Sequence, residues 1–116
     1  VTSKNPIDTV KLLDDIKKTA TQVLKKDVST YSGFSEKQLK DIAKQAAELQ
    51  AGIIKGEVSK ESEEYFSQGI KDMTVNFANT LEGLALVTVE KLWNAIVDVV
   101  WEAVEKGIGA SLPKPK

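Results

Sequence analysis

The chain has 116 residues, 41% hydrophobic and 28% charged, with no Cys, His or Arg. These absences exclude disulfides, thiolate metal sites, cysteine nucleophiles and imidazole acid–base chemistry. All 16 basic residues are Lys, so the planar fork that grips phosphate or carboxylate bidentately is missing, and a net charge of −1 gives no reason to expect nucleic acid as a partner.

The charge is unevenly placed. Residues 1–26 hold six Lys against three Asp, whereas residues 57–106 hold four Lys against ten acids. Basic and acidic helices can attract each other within one fold or between subunits. The first twenty residues contain seven charged side chains and no apolar signal run, which predicts a cytoplasmic chain.

Asn5-Pro6 reads as a helix start, because Asn can cap free amides and Pro fits the first helical position. Ile7, Val10, Leu13, Ile16, Ala20, Val23 and Leu24 then recur at three- and four-residue steps, predicting an amphipathic helix over about 6–26. Residues 27–34 break that period and read as a connection. Ser35 with Gln38 forms a capping-box pattern, and Phe34 with Leu39 a hydrophobic staple. The second helix should span about 36–55, ending before a left-handed cap at Gly56. Its alanines let a neighbour approach closely.

Ser59 is a good N-cap for a third helix, so helices two and three should form an antiparallel αα-hairpin. Residues 60–106 contain no Pro, so one helix about 70 Å long is possible. Phe66, Met73, Thr80 and Val87 repeat every seven residues, as do Ile70, Phe77 and Leu84, a short coiled-coil-like seam. Beyond it the phase fails. A break or kink near 79–83 is the alternative, with Asn79 and Glu82 as a cap-like pair and Gly83 weakening the helix. Gly107, Gly109 and the Pro-Lys run after them predict a flexible tail over 107–116, leaving a single helical domain over 1–106. No internal sequence repeat is evident.

Residues 84–104 contain fifteen hydrophobic residues in twenty-one. Glu90, Asn94, Asp98 and Glu102 fall at successive four-residue steps and form one polar stripe, with Lys91 the exception. Burial in a bundle or an oligomer explains this segment better than membrane insertion. Ten strongly apolar residues contribute about −3 to −6 kcal/mol to insertion, while Glu90, Lys91 and Asp98 each cost about 2.5–3.5 kcal/mol. The candidate interface is Leu86, Trp93, Ile96, Val97, Val100, Trp101 and Val104, since Trp is enriched at contact hot spots and three helices offer limited room for two indoles. Asp98 and Glu102 are expected to pair with Lys11, Lys18 or Lys25.

The remaining carboxylates suggest no chemistry. Asp14 and Asp15 diverge by about 100° on a helix, and Glu61, Glu63 and Glu64 suit the positive end of a helix dipole. The pattern assigns no catalytic, cofactor-binding or metal residue. The expectation is an all-α, three- or four-helix bundle with an αα-hairpin and a long hydrophobic C-terminal helix. That helix would make it a non-enzymatic homo-oligomer or a module for a helical protein partner. A membrane-active or lipid-surface role for residues 84–104 is the second expectation.

Overall fold

The structure is a computed structural model and describes residues 7–109. It is all-α: α1 spans Thr9–Leu24, α2 Glu36–Ile54, α3 Lys60–Thr80 and α4 Leu86–Ile108, with a short 3-10 turn at Val28–Thr30. Sequential helices run antiparallel, α1 packs against α4, and α2 touches α4 across the bundle.

Local chemistry explains most of the boundaries. Ser35 Oγ accepts from Gln38 N–H and Ser59 Oγ from Ser62 N–H, so both expected caps are in place. At the end of α2, Gly56 adopts φ 71°. Gly56 N–H donates to Ile53 O at 3.1 Å and Glu57 N–H to Gly52 O at 2.9 Å, a Schellman motif that closes the helix and launches the α2–α3 hairpin. The start of α1 differs from the expectation. Asp8 is the N-cap, its carboxylate accepting from Val10 and Lys11 N–H, while Asn5 and Pro6 lie outside the described residues.

The stretch after α1 is more organised than a plain connection. Lys25 takes a left-handed cap at φ 57°, and Asp27 then accepts from both the N–H and the hydroxyl of Ser29. Fixing that turn drives Val28 fully into the core.

The expected span over 60–106 is two helices. Leu81 and Ala85 are extended, with ψ of 123° and 152°, and Gly83 between them sits at φ 84°. The break lies at 81–85, so Asn79 remains inside α3, and Ala85, which has no capping side chain, precedes α4. The seven-residue seam ends there: Ile70 and Phe77 are buried, whereas Thr80 and Val87 are exposed. At the other end α4 passes through Gly107, which is buried, and closes on Gly109 at φ 69°. The tail boundary expected at 107 therefore moves outward, and residues 110–116 lie outside the described residues.

The two hairpin turns are alike, fifty residues apart. Thr30 to Ser35 and Thr80 to Ala85 each place a left-handed glycine, Gly33 at φ 88° and Gly83 at φ 84°, two residues before the extended cap. They lie side by side, with Glu82 N–H donating to Ser32 O at 2.9 Å. Gly33 approaches Thr80 so closely that a Cβ there would overlap the Thr80 carbonyl oxygen. At the opposite end the buried Gln50 joins three segments: its Oε1 accepts from Ile7 N–H at 2.8 Å, and its Nε2 reaches the carbonyls of Ala103 and Val104 at 3.3 Å.

Candidate interaction surface

The apolar segment of α4 is largely the chain's own core. Ile96, Val100, Trp101 and Val104 are fully buried and Val97 is 4% exposed. Four helices solve the packing problem that three left open. Trp101 is fully buried in a core to which all four helices contribute, and the buried Ala43 and Ala46 leave α2 room to meet α4. Of the expected interface, Leu86 is 74% exposed and Trp93 is half-buried, with Lys71 Nζ 5.2 Å from its ring centroid.

Beside Leu86 stands Val87, 59% exposed, a member of the seven-residue repeat that lies outside the expected interface. Nothing in its residue type signals exposure. The signal is the chain break before it: α4 starts with Leu86 and Val87 turned outward, while Leu84 and Val89 on either side pack on the core. Leu86 and Val87 make an apolar step at the turn end of the bundle. Val10 and Tyr65, also well exposed, sit singly on other helices.

Glu90, Asn94, Asp98 and Glu102 are all exposed, as is Lys91. Asn94 Nδ2 donates to the Glu90 carbonyl at 2.8 Å, inside the helix. Lys18 lies 3.1 Å from Asp14 on its own helix, which raises the Lys18 pKa through the hydrogen bond and the carboxylate charge. Lys11 and Glu102 line opposite sides of an open groove of about 510 Å³ between α1 and α4. α1 is tied to α2 by another of its lysines: Lys17 Nζ donates to Glu36 Oε1 at 2.6 Å and holds the Glu36 carboxyl below its ordinary value.

Among the described residues no three Asp or Glu side chains gather where they could hold a metal ion, and every buried side-chain nitrogen or oxygen has a hydrogen-bond partner. No described helix is long and apolar enough to cross a membrane. Comparison with protein-family models, curated proteins and solved structures finds no match to this chain.

Proposed function

We propose that this chain is a non-enzymatic interaction module that binds a protein partner through the exposed start of α4. The observation that carries this reading is the adjacent pair Leu86 and Val87, exposed at the end of a helix whose other large apolar residues are buried or half-buried.

The patch alone is too small to carry association, and the acidic face beside it favours a separate partner over self-pairing. Full burial of two such side chains is worth about 1.5–3 kcal/mol each, against about 4–15 kcal/mol for lost freedom on association. Two copies of the same small patch would barely meet that cost. A partner that also engages the neighbouring polar face of α4 supplies the remainder.

Site-specific photocrosslinking in cells that produce the chain tests the proposal. A photoreactive residue at position 87 is expected to give a discrete adduct with a protein other than this chain, lost on Leu86→Glu, and absent when the probe sits at the exposed Lys44 on α2. Equal adducts at both positions, or adducts only with a second copy, would contradict it.

A further inference from the structure

We infer that the outward face of α4 docks a basic amphipathic helix of another protein, which rests on the contact reading above and specifies its partner. At 100° per residue, Val87, Asn94 and Asp98 fall within about 40° of one another, with Glu90 and Glu102 about 60° to either side. All five are exposed. From Val87 to Glu102 the face is about 22 Å long, with Leu86 flanking its start about 100° round the helix, which suits a helix lying along it.

One end of this face is apolar and the rest is acidic, interrupted by Lys91. That mixture selects the occupant. A purely apolar surface would strip water from Glu90 and Glu102 and return no hydrogen bond. A second copy presenting the same face would set like charges against each other, which is repulsive. A helix with two or three apolar residues beside a Lys- or Arg-rich stripe meets both parts: its apolar side covers Leu86 and Val87, and its cations reach Glu90 and Glu102.

The test uses the full chain and two synthetic helices of about 18 residues. They share the same Leu positions, with polar faces of Lys in one and Glu in the other, and binding is read by fluorescence anisotropy. The Lys helix is expected to bind. Glu90→Lys with Glu102→Lys should weaken it by about tenfold, whereas the same charge change at the exposed Glu61→Lys with Glu64→Lys on α3 should alter affinity by less than about twofold. All four positions are exposed, and unchanged helical circular dichroism verifies the fold. Equal losses from the two double variants would reduce the effect to net charge and overturn the docking face. If the Glu helix bound equally well and Val87→Glu abolished it, the basic partner would fall and the contact reading would stand. If Val87→Glu changed neither helix's affinity, both would fall. Sedimentation of the chain with neutral vesicles, dependent on Val87, would put a lipid surface in place of the protein partner.

Discussion

Gly33 shows how one residue fixes the join between the two hairpins. It combines a left-handed φ of 88° with an approach to Thr80 that leaves no space for a Cβ, whereas Gly83, at φ 84°, faces open space. Alanine at either position incurs the left-handed penalty of about 1–2 kcal/mol, but only at Gly33 must the backbone of the other hairpin also move. Gly33→Ala should therefore destabilise the fold clearly more than Gly83→Ala, by about 1 kcal/mol or more beyond the shared penalty. Urea denaturation of the two variants compares them directly, and equal losses would mean that the turns do not pack as described. The sequence marks both residues as glycines and Gly83 as a weak point, but a close approach between residues 47 positions apart has no local signature. Asp27 and Ser29 are legible in principle: Asp followed two residues later by Ser is an Asx-turn pattern, but it is one weak local signal inside a stretch without helical period.

Among the elements, capping chemistry was the most legible feature and the long apolar run the least. Ser35, Ser59 and Gly56 mark their helix ends as expected because a cap is a contact within a few residues. The start of α4 was ambiguous because Ala85 cannot cap, so its extended conformation leaves no trace in residue type. Charge pairing was legible only in part. The basic character of α1 is used against α2, where Lys17 meets Glu36, and the acidic stripe of α4 stays at the surface. The Glu36 carboxyl is held below its ordinary value of 4.5, first by the hydrogen bond from Lys17 and then by its charge. A depressed carboxylate stabilises the fold fully above its unfolded value and loses that contribution as the pH falls through the folded one. The stability difference between wild type and Glu36→Gln should accordingly be constant from about pH 6 to 8 and shrink below about pH 4.5. It should also shrink in high salt, since both partners are partly exposed. Chemical denaturation across that range checks the sign, and a difference that grew on acidification would contradict the pairing.

For the whole molecule, the apolar segment over residues 84–104 has two possible satisfactions, within the chain or between chains, and its composition does not distinguish them. Geometry does. Once α3 and α4 separate at 81–85, four antiparallel helices enclose Ile96, Val100, Trp101 and Val104, and of the large apolar residues of α4 Leu86 and Val87 alone stay exposed. A fold that buries its core alone unfolds with a midpoint independent of protein concentration, whereas one completed by a second copy gains stability as concentration rises. Thermal unfolding over an approximately hundredfold concentration range, with mass measured by light scattering at each end, is the most direct test. The account predicts a constant midpoint and the 12.7 kDa mass of one chain; a midpoint that climbs with concentration, together with a multiple of that mass, would contradict it.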